Sequence, residues 1–372
     1  MRIACAATLF SFAAIWLGCY GPPTCQDLRN CPTSKPDATD ADTLSEPDSA
    51  GRIVDVGGAD GSAGDDLEDI WAVGELFTPS GGVIIHRTRN ASWQIEFNLA
   101  PGPSLHDVWG TSASDVWAVG EAILHYDGSQ WVRVPSPGAQ TLKAVWGSSR
   151  TDVWACGFNR DTNNGSLLHY DGNSWQLHDQ SSLFVDVTCS GIWGTGPRDV
   201  WLVGNSEKTG AKLLHFDAFA NWSDKTPIPG LSAYFTGIWV SSSTSGWVVG
   251  SDGLFLQLGG TQWGAINPPP TTANLLAISG ASSNEVWAVG MLTSGINTLK
   301  TQVLRFGGSS WASVPLGVAE QDATILDIFV RSASDIWMVG GVGVILHHDG
   351  LKIAAYPNVP TQADLWGVWG TR

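Results

Sequence analysis

Positive charge is scarce in this chain. Lys and Arg together number 19 against 35 Asp and Glu, which leaves a net charge of −16. The basic residues are scattered and form no run or stripe. Such a balance repels nucleic-acid phosphates and anionic lipid headgroups, so neither is expected as a direct partner. Methionine is nearly missing, at 3 residues. No stretch keeps apolar residues at helical spacing between caps, which argues against a helical protein. Also missing are GxSxG, HExxH, a P-loop and GxGxxG in a strand-to-helix setting. Nothing in the sequence argues for catalysis. No catalytic residue, metal ligand or cofactor is assigned, and the chain is read as a non-enzyme.

What is abundant points one way. There are 20 Trp and 44 Gly, with 43% hydrophobic residues. Tryptophan and glycine in excess, with turn residues at regular intervals, favour an all-β repeat protein. The phrase "VWGTSASDVWAVG", Val108 to Gly120, shows the unit. Its second Trp recurs at Trp71, Trp117, Trp154, Trp201, Trp247, Trp287 and Trp337, making seven copies. Upstream of each copy except the first lies a run such as "LKAVWG" or "CSGIWG". Downstream comes "ILHYDG" or a relative of it, then a fourth run that holds Trp93, Trp131, Trp175, Trp222, Trp263 or Trp311, with Ile353 in the last copy. Four short runs per unit, broken by Gly, Asp, Asn and Ser, at a period of roughly 40–50 residues, predict four-stranded blades. The fold class is therefore all-β: a seven-bladed β-propeller over residues 67–372.

The first copy lacks its "VWG" run, and an unattached one, Val368–Gly370, follows the last copy. The ring is thus expected to close by pairing the C-terminal strand into the first blade. All the Trp except Trp16 and Trp366 fall on repeat positions, as expected if every blade needs large wedges against its neighbours.

Residues 1–18 read as a signal peptide, with Arg2 before the apolar stretch Ile3–Leu17. "WLGC", Trp16 to Cys19, resembles the lipobox of bacterial lipoproteins, and that resemblance implies a lipid on Cys19. Residues 19–66 are rich in Pro, Asp, Ser and Gly and read as an acidic disordered tether. An exported chain can form disulfides, so Cys25 and Cys31 are a candidate pair. Cys156 and Cys189 lie inside apolar strand patterns and are expected to be small buried hydrophobes, not a bridge.

His86, His125, His169, His215 and His347 share one repeat position. Equivalent positions lie far apart around a propeller. A hydrogen bond from each His to a turn Asp or Trp of its own blade is expected, not a ring of metal ligands. Asp69, Asp115, Asp152, Asp199 and Asp335 likewise read as turn caps. "YDGSQW" and "YDGNSW" resemble the Asp-box turn of sialidase-like propellers, itself a structural feature.

Function is expected where the repeats differ. The first-to-second and third-to-fourth turns are short and uniform and share one face. The other two loops share the opposite face and vary: "FNRDTNNG" after Gly157 stands against the two-residue "EA" after Gly120. Loops on a rigid scaffold are the usual binding elements. The ligand-binding candidates there are Phe77, Phe158, Asn159, Arg160, Asp161, Phe184, Lys208 and Tyr234.

The quoted repeats resemble those of secreted propeller lipoproteins from myxobacteria-like bacteria. That resemblance implies an exported protein, lipid-anchored to the cell envelope at the outer membrane or secreted, more than an activity. A looser resemblance to tectonin-type lectin propellers implies glycan binding. The expected protein is a monomeric, lipid-anchored, non-enzymatic binding scaffold for an envelope protein or surface polymer. A carbohydrate-binding lectin is the alternative, and an exported glycan hydrolase the weaker one. A lectin should repeat aromatic pockets in several blades. A protein-binding scaffold should show one asymmetric patch, and a hydrolase converging carboxylates near the channel.

Overall fold

In the computed structural model, the phrase Val108–Gly120 falls on two antiparallel strands, Leu105–Ser112 and Asp115–Gly120, joined by a tight polar turn. Two more strands, Ile123–Tyr126 and Trp131–Val134, complete the sheet. This four-stranded meander occurs seven times. The residues described are 68–162, 164–178, 182–217, 219, 221–228, 233–266, 270–293, 299–317 and 322–372. The segments read as signal peptide (1–18) and tether (19–66), with Cys19, Cys25 and Cys31, lie outside them.

The protein is a seven-bladed β-propeller. The first strands of blades 2 to 7 are Leu105–Ser112, Gln140–Ser149, Thr188–Gly196, Phe235–Ser242, Asn274–Ser282 and Ile325–Ser332. Each contacts the first strand of the next blade, and together they wall a central channel. Blade 1 takes its first strand, Asp364–Gly370, from the C-terminal end. This strand pairs with Ile70–Phe77 in a register that sets Trp71 opposite Trp369. Thr371 N–H donates to the Asp69 carbonyl at 3.1 Å. Arg331 of blade 7 adds donors to the carbonyls of Thr371 (2.7 Å) and Asp69 (3.2 Å). The seam is thus bonded from both sides, and neither edge of it is left open.

The repeated residues explain one another. On the second strands, five tryptophans stack on the histidine of the neighbouring third strand, with centroids 3.8–4.3 Å apart. Each of these histidines meets an aspartate of its own blade through Nε2, at 2.6–3.1 Å. The aspartate's other oxygen takes a turn hydroxyl in three blades: Thr111 to Asp115, Ser148 to Asp152 and Thr195 to Asp199. In blade 6 the pair becomes Glu285 and Arg305, joined at 2.8 and 2.6 Å, while Glu285 also accepts the Trp287 indole N–H. Blade 5 has Ser245 and Gln257 at these places.

Between blades, the fourth-strand Trp of one blade stands edge-on to the second-strand Trp of the blade before it. Trp175 meets Trp117 at 5.3 Å, Trp222 meets Trp154 at 5.8 Å, and Trp93 meets Trp337 at 5.7 Å. T-shaped pairs of this kind add to the area each indole buries. Around the channel a second device operates. The first-strand Trp of one blade lies over a first-strand glycine of the next: Trp109 over Gly147 and Trp146 over Gly194, each the glycine of "WG", and Trp239 over Gly280, which follows Ser279. A Cβ at any of these glycines would come within 2.7 Å of the indole.

One expectation is corrected. Cys156 and Cys189 form a disulfide, with Cα atoms 5.7 Å apart. Cys156 is on the second strand of blade 3 and Cys189 on the first strand of blade 4. The apolar runs around them describe a core position accurately, but it is the stacking of neighbouring blades that brings the two positions together.

Candidate binding face

The two faces of the ring have different jobs. The short turns on one face are built from local hydrogen bonds. In "YDGSQW", Asp127 Oδ1 accepts the Ser129 and Gln130 N–H groups at 2.8 and 2.9 Å, and Gly128 supplies the left-handed φ of 91° that the turn needs. Asp171 and Asp349 repeat the arrangement. The opposite face varies because its second-to-third hairpins differ in length. In blade 3 the strands Asp152–Asn159 and Gly165–Tyr170 carry the hairpin outward, whereas in blade 2 they stop at Gly120 and restart at Ile123.

The channel opens on the variable face past His106, Lys143 and Trp366, and encloses about 180 Å³. Burial, with help from the Lys143 charge, pushes the His106 imidazole down to about 3, so it is neutral at physiological pH. Burial also lowers Lys143, against the pull of Glu75 and Glu121. Deeper in, Asp107 and Asp327 face the channel from blades 2 and 7. Burial raises both; Asp327 reaches about 7, and Asp107 is lifted further by the neighbouring Asp327 charge. Each is already engaged across a blade boundary. Asp107 accepts the Val145 N–H and Asp327 the Val368 N–H, both at 2.8 Å. Blades 4 and 5 make the same kind of link with hydroxyls, from Ser190 to the Phe235 carbonyl (2.7 Å) and Thr236 to that of Leu275 (2.9 Å). At its far end the Arg372 guanidinium sits over Trp193 and Phe329, donating to the Gly280 carbonyl.

A larger recess, about 360 Å³, opens on the variable face between blades 2 and 3. It exists because the blade 2 hairpin is two residues long beside the extended one of blade 3. Ile123 and Leu142 lie beneath it, and Val134 and Pro135 wall it. Glu121 and Arg160 pair across it at 3.0 Å. Arg133, exposed, has no ion-pair or hydrogen-bond partner among the described residues. Gln140 is 4% exposed, and its Nε2 donates to the Pro137 carbonyl at 2.9 Å. That bond fixes the amide's orientation, since the reverse would set two oxygens together. Gln140 Oε1 is thereby left buried without a protein donor, and the buried Ser136 Oγ is also unpartnered.

The residues expected to bind ligand are spread around this face and do not converge. Phe77 (63% exposed) and Tyr234 (56%) stand on blades 1 and 5. Phe158 is half-buried at the base of the blade 3 hairpin. Asn159 Oδ1 caps that hairpin by accepting the N–H groups of Asp161 and Thr162, and Asp161 is exposed at the turn. Lys208 pairs with Asp186 at 2.6 Å. Phe184 is a correction: it is 3% exposed and packs edge-on to Trp222, so it fills the core under its loop. Of the eight, only Arg160 lines the recess. Glu121, Arg133, Ser136 and Gln140 were not singled out from sequence. The shortness of "EA" was the available signal, for a short hairpin between longer neighbours leaves a hollow.

The sequence matches no protein-family model and no curated protein. Solved structures share the fold. A protein from Lactobacillus plantarum superposes with a TM-score of 0.57 at 11% identity, over 82% of this chain and 99% of its own. Virginiamycin B lyase from Staphylococcus aureus gives 0.54 at 13%, over 68% and 84%. YCF48 bound to D1 peptide gives 0.51 at 17%, over 69% and 83%. Likeness at these identities concerns the fold alone. The neighbours include an enzyme and a peptide-bound protein, so they do not choose between catalysis and binding.

Proposed function

We propose that this protein is a non-enzymatic binding scaffold of the cell envelope, lipid-anchored through Cys19, whose variable face holds an envelope protein or surface polymer. The observation that carries this reading is the recess between blades 2 and 3: one asymmetric hollow, lined by Arg133 and the Glu121–Arg160 pair, on the face whose loops differ. Aromatic groups on that face form no pocket repeated from blade to blade among the described residues, which favours a protein partner over the lectin alternative. Both channel carboxylates are engaged by backbone N–H groups, and the channel is smaller than the usual 300–1,000 Å³ of ligand sites. Those two features weigh against the hydrolase. The Cys156–Cys189 bridge supports export, since disulfides persist in oxidising compartments. YCF48, a distant structural neighbour, is known with a peptide bound, which is compatible with this use of the fold.

The test is a panel of peptides and glycans offered to the full chain and to two variants. One replaces Arg133 and Arg160, which line the recess, by Ala; the other replaces Phe219 and Leu351, exposed on the uniform face. Saturable binding that the first variant loses and the second keeps is expected. Loss only in the second variant, or turnover of a panel member, would overturn the reading.

A further inference from the structure

We propose that the closing seam of the ring carries a docking site on the variable face, built on Trp366 and Val342, for a segment of a partner protein that sets a basic residue beside a large apolar one. This rests on the reading of the chain as a protein-binding scaffold, and names where the partner is held. Two independent departures from the repeat meet here. The first is a bulge. In every blade the pairing of the first and second strands slips by one residue at the channel mouth. A bulge re-aims a side chain, and all seven residues so turned line the channel. In other blades they are residues such as Ser190 or Leu326; in blade 1 the residue is Trp366. It stands off the tryptophan repeat and, at 36%, is the most exposed Trp among the described residues. The second departure is Val342, in the turn Gly341–Gly343 of blade 7. Its φ of 54° and ψ of 38° lie in the left-handed region, which a β-branched residue enters only at a cost. The matching turn of blade 5 has Asp252 at 56° and 31°, a residue type that tolerates this backbone. Both turns are bonded alike, Asp252 N–H to Asn274 Oδ1 at 2.9 Å and Val342 N–H to Asp364 Oδ1 at 2.8 Å. The fold therefore does not demand valine, and Val342, 65% exposed, offsets little of its strain by burial. A strain that the free molecule leaves unrelieved is accounted for by a contact made on binding.

Asp364 joins the two residues: it accepts the Val342 N–H, and Trp366 follows it by two positions on the same strand. Opposite Asp364 on the next strand is Glu75. Burial raises the Glu75 carboxyl, and the Glu121 and Asp364 charges raise it further, against Lys143. Neither Glu75 nor Asp364 has an ion-pair partner among the described residues. Against Glu75, Glu121 and Asp364 stand Lys143 and Arg160, so negative charge is left over, on a chain whose net charge is −16. A basic side chain complements that excess and an acidic one is repelled by it. An exposed Trp beside an exposed aliphatic residue supplies the apolar half of the match, the usual anchor of a protein interface. Glu121 also lines the recess between blades 2 and 3, so the seam adjoins it on the same face.

The test pairs stability with binding. Val342→Asn places a tolerant residue in the turn, so it should raise the melting temperature by about 2 °C while weakening the partner. The probe is a random dodecapeptide phage library selected on the immobilised full chain, with the selected peptides then synthesised and measured by fluorescence anisotropy. They are expected to carry Arg or Lys beside Leu, Ile, Phe or Trp. Val342→Asn and Trp366→Ser should each weaken them about ten-fold, and Asp364→Asn should weaken them more at low salt than at high salt. Near-ultraviolet circular dichroism reports folding; if Trp366→Ser does not fold, Val342→Asn still decides. A lower melting temperature in Val342→Asn, selected peptides without a basic residue, or binding that Val342→Asn leaves unchanged would overturn the proposal. If the Arg133 and Arg160 variant loses a panel ligand while no library peptide depends on Val342, the scaffold reading stands and this one falls. If neither panel nor library yields a binder, both fall.

Discussion

The indole of Trp369 lies against Gly110 of the next blade. A Cβ placed on Gly110 would stand 2.9 Å from two carbons of that ring and 2.5 Å from the Asp115 carbonyl oxygen. At Trp109, Trp146 and Trp369 the "WG" pair is therefore one contact written across two blades, with the glycine of the next blade leaving room for the Trp behind it, whereas Trp193 meets Val240 and donates its indole N–H to that carbonyl. Gly110→Ala should cost about 1–3 kcal/mol, as overpacking does. Gly196→Ala is the control, because nothing lies within 4 Å of its added methyl. Denaturant unfolding followed by Trp fluorescence measures both. Equal effects would refute the knob-and-hole account.

The bridge between Cys156 and Cys189 closes a loop of sequence separation 33. On the chain-entropy model, replacing both cysteines by Ala should lower unfolding free energy by about 3–4 kcal/mol. Intact-mass analysis of denatured protein, alkylated with and without reductant, tests the bond itself. Alkylation of both thiols before reduction would contradict it.

Glu285 and Arg305 replace the Asp–His pair of five other blades. Arg305→His alone should destabilise blade 6, and Glu285→Asp made with it should recover part of the loss. A double-mutant cycle is expected to return a coupling of about 0.5–3 kcal/mol, the range for groups in direct contact. A coupling near zero would mean that the two positions vary independently.

The channel acids make stability depend on pH in an unusual direction. Burial raises Asp327 to about 7 from 3.8. Between those values the folded state holds a proton that the unfolded chain has lost, so this group's contribution falls as pH rises through the interval. Asp335 behaves oppositely. Burial raises its carboxyl, but His347 and Arg331 outweigh that and hold it low, so its contribution is lost only in acid. In Asp327→Asn an amide oxygen still accepts the Val368 N–H. The melting-temperature gain of Asp327→Asn over the unsubstituted protein should therefore grow from pH 4 to pH 7. A gain that is flat across this range would show that Asp327 does not carry the proton.

The blade count, the four-stranded unit and the closing strand were legible because each rests on residues that recur. Repetition makes Trp117, His125 and Asp115 readable together, and the structure bonds them together. Contacts made once were not legible. Cys156 meets Cys189 only because blade 3 stacks on blade 4. Phe184 looked like a loop residue because it lies outside the repeated runs, between blades 3 and 4, yet it packs against Trp222 in the core. Arg133 is ordinary in sequence, and it comes to line a hollow only because the blade 2 hairpin is short beside that of blade 3.

The seam of the ring also sets an order of events in folding. Asp69 and Thr371, which bond across it, are 302 residues apart in sequence. Until the last strand arrives, Ile70–Phe77 presents an unpaired, apolar edge, the kind of surface on which strands from other molecules add. Closing the ring is therefore expected late in folding, because contacts of that span are slow to make. Yield on refolding should accordingly be limited by protein concentration, and a synthetic peptide matching Asp364–Arg372 added in trans would compete for that waiting edge.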